Sequence, residues 1–297
     1  MGLAELRDRF PVLDTCLVQV QALLDPRRVL LAPEDQALHL AWRTQDRWEM
    51  ATIDLPPDLC RSGQPLNHQV LGETIADLLL EKGFSLPQVD IELLLPLSSC
   101  EWRLLEGAAA TALSCGDDLR VLQPELGWSL SLQDCYLDIL TLPQSDSALV
   151  VGTERQLLQA WVDTLQEADL PLRRAEWLLS AAWRGLFDGH AGADQRLVWL
   201  VEQQGRWRLL LLRNGFPEVD LSLQALEYPA LRDEVLGLVE AWDTEDSLSL
   251  GWWVTASSQW KGGWAAEHDP RLGSLRSDAE MSLLDLALIA PRGTGDA

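Results

Sequence analysis

The first stretch of the chain reads as a helix. Leu3, Leu6, Phe10, Leu13, Leu17, Val20 and Leu24 recur at alternating spacings of three and four, which puts them on one stripe, with a kink expected at Pro11. Such a stripe suits a bent helix or helical hairpin docked on its own protein, with a helix laid in a partner's groove as the sharper alternative. Past Pro26 the pattern changes to short strands: Val29 to Ala32, a polar turn at Pro33 to Gln36, Ala37 to Arg43, a turn at Thr44 to Asp46, then Arg47 to Leu55. Tight turns between three strands predict an antiparallel meander. A breaker-rich run from Pro56 to Pro65 follows. Leu71, Ile75, Leu78, Leu79 and Lys82 then return at helical spacing, Gly83 suits a helix C-cap, and Val89 to Leu95 reads as a buried strand.

The same ββ-β-α-β order recurs after residue 195. Leu197 to Glu202, a Gln204-Gly205 turn, Arg206 to Arg213, an Asn214-Gly215 hairpin turn and Phe216 to Leu221 give three strands. Leu231, Val235, Leu238 and Trp242 supply a helical stripe, and Gly251 to Ala256 a further strand. The two units share topology but not sequence, which predicts an α/β protein with two related halves. Between them, Thr153 and Gln156 suggest a capping box for a helix with Leu157, Trp161 and Leu165 inward, and a second helix is expected over Glu176 to Phe187. A last helix is expected to start at a Ser277 to Glu280 box, turn Met281, Leu284 and Leu288 inward, and stop at Pro291.

Composition narrows the function classes. The 297 residues are 47% hydrophobic and 23% charged, enough for a substantial core. A net charge of −23 disfavours an unassisted grip on phosphate backbones or anionic lipid, so no nucleic-acid partner is expected. Lys82 and Lys261 are the two lysines, and neither follows a glycine-rich phosphate loop. Cys16, Cys60, Cys100, Cys115 and Cys135 are odd in number and contain no Cys-x-x-Cys pair, which points to reduced thiols rather than disulfides or a thiolate zinc site. Glu5, Arg7, Asp8 and Arg9 stand where a signal peptide needs apolar residues, and no 18-residue apolar run exists, so a cytoplasmic protein with no direct membrane insertion is expected.

Three stretches carry a family resemblance. They are Ile53-Asp54-Leu55-Pro56-Pro57 with Leu71 to Leu86 and Val89 to Pro96; Asp138 to Glu176, including Ala148-Leu149-Val150-Val151 and Leu170-Pro171-Leu172; and Leu197-Val198 through Arg213-Asn214-Gly215. Together they resemble the type IV pilus assembly PilM family, and the layout resembles the actin-like nucleotide-binding fold. The resemblance implies duplicated ribonuclease H-like ββ-β-α-β halves, a small inserted α/β subdomain and, because little sequence follows Leu221, a shortened second lobe. The implied organisation is an N-terminal helical segment over 1–27 and a first lobe over 28–99 with 173–192. The inserted subdomain spans 100–172, a reduced second lobe 193–291, and a tail 292–297.

An actin-like ATP site uses two hairpin loops whose glycines let backbone amides approach phosphate, with acidic groups holding magnesium or its waters. Here the first loop reads Pro33, Glu34, Asp35, Gln36, so proline removes a donor and two carboxylates stand where phosphate would sit. The second reads Gln203, Gln204, Gly205, with Val201 in place of the family's acidic residue. Gly262 and Gly263, the candidates for an adenine-side turn, sit in a tryptophan-flanked segment that reads equally well as a surface turn. These degenerate loops predict no bound ATP or magnesium and no catalytic residue. The acidic clusters Asp117-Asp118 and Asp243, Glu245, Asp246 read as solvated turns, and His39, His68, His190 and His268 lack metal-ligand spacing, so no metal site is expected.

Fourteen tryptophans are the unusual feature. Trp252, Trp253, Trp260 and Trp264 read as core filling or as a docking patch, and Trp102, Leu104, Trp128 and Tyr136 in the inserted segment are candidates for partner contact. The resemblance then implies a non-catalytic cytoplasmic scaffold of a pilus assembly platform that binds the cytoplasmic tail of a PilN-like inner-membrane protein and is recruited by it to the membrane. Two alternatives are a diverged ATPase or sugar-kinase-like enzyme, and a scaffold like the cytoplasmic domain of the type II secretion protein GspL, which normally continues into a transmembrane helix.

Overall fold

The structure is a computed structural model that describes residues 26–45, 47–107, 127, 129–141, 147–187, 196–203, 205–224, 228–242, 250–255 and 282–289. The predicted N-terminal stripe, the Ser277 to Glu280 box, Trp128, Trp260, Trp264, Gln204, Gly262 with Gly263, the two acidic clusters, His190 and His268 lie outside the described residues. The chain divides into two compact units. One comprises residues 1–101, 130–136 and 152–177, the other 102–129, 137–151 and 178–297.

The first unit is built on the predicted meander. β1 (Arg27–Pro33), β2 (Ala37–Thr44) and β3 (Arg47–Asp54) pair antiparallel, with Leu31 opposite Leu40 and Ala41 opposite Met50. Here β4 (Cys60–Arg61) and β5 (Gln64–Pro65) make a small hairpin inside the run expected to be irregular. Its turn residues Ser62 and Gly63 have φ of 50° and 78°, the mirror-image turn that closes two-residue hairpins. Helix α1 (His68–Glu81) is capped by Asn67, whose side chain accepts from the Val70 N–H, and ends at Lys82 before Gly83 at φ 81°. β6 (Val89–Leu95) joins β1 in parallel, as a connection that passes through a helix allows. β10 (Leu172–Trp177) adds parallel to β6, giving the sheet order β10-β6-β1-β2-β3.

Helix α2 (Arg155–Glu167) buries Leu157, Trp161 and Leu165, as its spacing predicts. Its expected capping box does not form. The Thr153 hydroxyl donates to the Ser99 carbonyl at 2.8 Å, and the N-cap is Glu154 with no side-chain bond. Glu176, expected in a helix, belongs instead to β10, because pairing with Leu94 across the sheet overrides local propensity. A separate three-stranded sheet has the order β7 (Cys100–Glu106), β9 (Ser147–Glu154), β8 (Cys135–Thr141).

The second unit repeats the meander. β11 (Arg196–Gln203), β12 (Arg206–Arg213) and β13 (Phe216–Leu223) pair antiparallel, and β14 (Leu250–Thr255) adds parallel to β11. Asn214 and Gly215 close the second hairpin at φ 50° and 85°. Helix α4 (Tyr228–Trp242) covers one face, where Leu231, Val235 and Val239 meet Val198, Leu200, Leu209, Leu211 and Trp252 in one buried cluster. Helix α3 (Leu178–Leu186) packs on α5 (Leu283–Ile289), each with a run of buried aliphatic side chains. In the described residues this sheet has four strands, against five in the first.

Candidate functional site

The β1–β2 turn is the first place where the chemistry can be tested. Its backbone closes through Glu34 N–H to the Ala37 carbonyl at 2.8 Å, and Leu55 N–H donates to the Gln36 carbonyl at 2.8 Å. The Asp35 carboxylate accepts the backbone N–H of Ser62 at 2.5 Å, so it clamps the β4–β5 hairpin. Other bonds hold the same turn. Trp161 donates its indole N–H to the Gly63 carbonyl at 2.8 Å, in a buried setting, and the Ser98 and Ser99 hydroxyls lie 3.5 Å from the Ser62 carbonyl. A Cβ on Gly63 would lie 2.4 Å from the Pro96 ring, so both space and φ require glycine there. Glu34 faces His39 at 3.8 Å, and the other ring nitrogen of His39 pairs with the Thr52 hydroxyl at 2.9 Å.

The thiol of Cys60, 1% exposed, stands beside this clamp. Burial, and then the negative charge of Asp35, push its pKa up to about 12, against the opposing effect of its hydrogen bond with the Gly63 backbone. It is therefore a neutral core group rather than a nucleophile at physiological pH.

The β11–β12 turn repeats the arrangement with different residues. The buried Glu202 carboxylate accepts the backbone N–H of Gly205, at φ 75°, over 2.6 Å. Gln203 ends β11, and Arg206 is exposed at the start of β12. In the β11–β12 loop an amide of the turn itself is taken by a carboxylate, whereas in the β1–β2 loop the carboxylate of Asp35 reaches out to an amide of the neighbouring β4–β5 hairpin. Each carboxylate also places negative charge where an anion would have to approach. Among the described residues no three His, Cys, Asp or Glu side chains gather as a metal-ligand group.

The partner-contact candidates separate. Trp102 is buried, 4% exposed, and its indole N–H donates to Asp220 on β13. That carboxylate also takes the Arg208 guanidinium through two bonds of 2.6 Å each. Trp102 meets Trp183 edge-on, with centroids 6.3 Å apart, and Trp183 in turn touches Phe187 and Phe216 and donates to the Gly215 carbonyl at 2.8 Å. Of its two expected readings, core filling and partner contact, the burial of Trp102 accords with the first. Leu104 is half-buried on β7, and Tyr136 on β8 is 51% exposed with the Arg155 guanidinium 5.2 Å from its ring centroid. Trp252 and Trp253 are buried on β14, which resolves them as core.

Sequence reasoning passed over Asp220, the shared acceptor, because an acidic residue on an exposed-looking strand carries no local signal. It also passed over Arg27, Arg28 and Arg43, which strand pairing brings to one end of the first sheet.

No protein-family model matches the chain, and no curated protein sequence does. Solved structures do. A PilM-PilN type IV pilus biogenesis complex matches at TM-score 0.60 with 16% identity, over 83% of this chain and 86% of that one. The fold is actin-like. A Bacteroides thetaiotaomicron protein with an actin-like ATPase fold matches at TM-score 0.52 with 8% identity, over 84% and 89% of the two chains. The cytoplasmic domain of EpsL, an inner-membrane component of the Vibrio cholerae type II secretion system, matches at 0.51 with 13% identity, over 88% and 93%. This actin-like chain therefore shares its architecture with assembly-system proteins. No helix among its described residues is long and apolar enough to cross a membrane.

Proposed function

We propose that this protein is a non-catalytic actin-like scaffold of a type IV pilus assembly platform, working in the cytoplasm and binding the tail of a PilN-like inner-membrane partner. The observation that carries the non-catalytic half is a hydrogen-bonded carboxylate fixed at each hairpin loop, Asp35 on the Ser62 N–H of the neighbouring β4–β5 hairpin and Glu202 on the Gly205 N–H of its own turn. An ATP phosphate entering either loop would have to lie beside a carboxylate, and in the second it would first have to displace one. The likeness to the PilM-PilN complex supports the scaffold half. Within the inserted segment the exposed Tyr136 is the residue we assign to partner contact, while the Trp102 side chain is buried. A net charge of −23 suits recruitment to the membrane through a partner, since direct lipid binding calls for a basic face. A second reading, a type II secretion scaffold, draws on the likeness to the EpsL cytoplasmic domain.

Isothermal titration tests the reading. The protein is titrated with Mg-ATP, with a synthetic tail peptide of the PilN-like protein from the same genome, and with the matching tail of a type II secretion partner. Binding of the first peptide without ATP supports the proposal, binding of the second alone moves the secretion reading first, and ATP binding without peptide binding overturns both.

A further inference from the structure

Along the outer face of α1, Val70, Glu73, Asp77 and Leu80 recur at spacings of three, four and three, and all four are exposed. The stripe is about 15 Å long, with an aliphatic side chain at each end and two carboxylates between them. Val70 is 42% exposed, Leu80 53%, and Leu66, just before the Asn67 cap, 45%. The opposite side of the helix buries Leu71, Ile75, Leu78 and Leu79, so the outer aliphatic pair is no part of the core.

Packing against α2 extends the acidic part of this face. A Cβ on Gly72 would stand 2.5 Å from the Thr164 carbonyl oxygen and 3.3 Å from the Glu167 Cβ, and the His68 Nδ1 lies 2.8 Å from the Thr164 hydroxyl. That close approach sets Glu167 beside α1, with Asp163 one turn before it on the exposed side of α2. The charge is uncompensated. The α1 sequence contains no lysine or arginine, and Lys82, just past its end, is bonded to Glu81 at 3.3 Å. The Gln69 and Gln159 amides donate to Glu73 at 3.0 Å and to Asp163 at 2.7 Å, which holds these carboxylates in place without neutralising them. Arg155, at the start of α2, is turned to the Cys135 carbonyl at 2.9 Å and to the Tyr136 ring. Among the described residues Glu73, Asp77, Asp163 and Glu167 form no ion pair.

We propose that the outer face of α1 docks a basic amphipathic helix of another protein, one that repeats the three-four-three spacing with aliphatic residues at its ends and Lys or Arg in the middle. Docked helices are read by anchors at such spacings, and here the bases meet Glu73 and Asp77 while the aliphatic ends cover Val70 and Leu80. Solvation accounts for the carboxylates alone; the two exposed aliphatic side chains are what a docked helix adds a reason for. The spacing reads the same in both directions, so the stripe takes a parallel or an antiparallel helix. A second copy of this chain would set Glu73 and Asp77 against carboxylates, in a protein of net charge −23, and an anionic lipid surface is opposed in the same way. The face includes no residue of either hairpin loop, and its assignment does not rest on the scaffold reading.

The test is isothermal titration of the full chain with a synthetic helical peptide that carries Leu at the two ends of this spacing and Lys at its two middle positions, beside a peptide of the same composition in shuffled order. The ordered peptide is expected to bind one-to-one, about tenfold more tightly than the shuffled one, and less tightly as salt rises. Glu73→Lys with Asp77→Lys should lower that affinity by about tenfold or more, while Glu234→Lys with Glu240→Lys, the same change of charge on the exposed side of α4, leaves it within about twofold. Val70→Ala with Leu80→Ala should cost about fivefold. Equal binding of the two peptides, no binding of either, unchanged affinity in folded Val70→Ala with Leu80→Ala, or an equal loss in the two charge-reversed proteins overturns the site. So does a dimer of the free protein, seen by light scattering, that Glu73→Lys with Asp77→Lys removes, since it gives the face to a second copy. Circular dichroism confirms the fold of each variant, all of them at exposed positions.

Discussion

Gly185 on α3 and Leu286 on α5 are packed backbone to backbone: a Cβ at Gly185 would stand 1.7 Å from the Leu286 carbonyl oxygen. No rotamer change relieves a clash with main chain, so the helices must separate or α5 must leave its place. Gly185→Ala is expected to destabilise the second unit by about 3 kcal/mol, at the upper end of overpacking costs. Urea unfolding followed by circular dichroism measures it, and wild-type stability in this variant would refute the close packing of α3 on α5.

Gly237 gives the opposite result for the opposite reason. It lies exposed in α4, and a Cβ there meets nothing within 4 Å. Gly237→Ala should stabilise by about 0.5–1 kcal/mol through helix propensity alone. The same unfolding experiment reads this as a higher midpoint at unchanged slope.

Removing the Asp35 carboxylate should loosen the β4–β5 hairpin. Asp35→Ala leaves the Ser62 N–H without its acceptor and should cost about 1–2 kcal/mol. It should also lower the Cys60 pKa, since the Asp35 charge is one of the forces that raise it. Peptide-resolved alkylation under native conditions checks both: Cys60 should react far more slowly than the same thiol in urea, and faster in Asp35→Ala than in wild type.

The raised Cys60 pKa has a signed consequence for stability. The folded thiol titrates at about 12 against 9.0 for the free group, so the neutral form is favoured by folding. Its contribution is complete below pH 9 and is lost as pH rises toward 12, because the unfolded chain gives up the proton first. Cys60→Ala should flatten that alkaline decline relative to wild type, whatever it does to stability at pH 7. An identical alkaline slope in the two proteins would count against a buried, protonated thiol.

Asp220 serves both Trp102 and Arg208, and the two losses differ in kind. Trp102→Phe removes one neutral donor and keeps the ring stack on Trp183, for a cost of about 1 kcal/mol. Asp220→Asn strips the counter-charge from a largely buried guanidinium and should cost roughly 3 kcal/mol. A double-mutant cycle on stability checks the order, and a larger loss in Trp102→Phe would show that the tryptophan does more than donate.

Much of the fold was legible along the chain. The meander over β1 to β3, the strand Val89–Leu95 and the pair β11–β12 followed from alternation bounded by turn residues, because a half-buried sheet imposes period two on its own sequence. The Asn214-Gly215 turn followed from its φ requirement. Where a side chain had two partners to choose from, local reading failed. Thr153 fits a capping box in sequence, yet its hydroxyl serves the Ser99 carbonyl, 54 residues away. The α5 helix is capped by Ser282 and Asp285, which exchange bonds at 2.8 Å and 3.2 Å, a pair that local reading passed over.

Sequence alone determined the periodicities, the turn chemistry, the negative charge and the acidic, proline-led turn between β1 and β2, since each is a property read from the residues themselves. Tertiary structure alone decided that Trp102 is core, that Asp35 holds Ser62, that Asp220 joins Trp102 to Arg208, and that Glu167 of α2 stands beside α1. Those outcomes depend on which elements are brought together, and a hydrogen bond or a charge pair selects its partner by distance in space, where separation along the chain carries no weight.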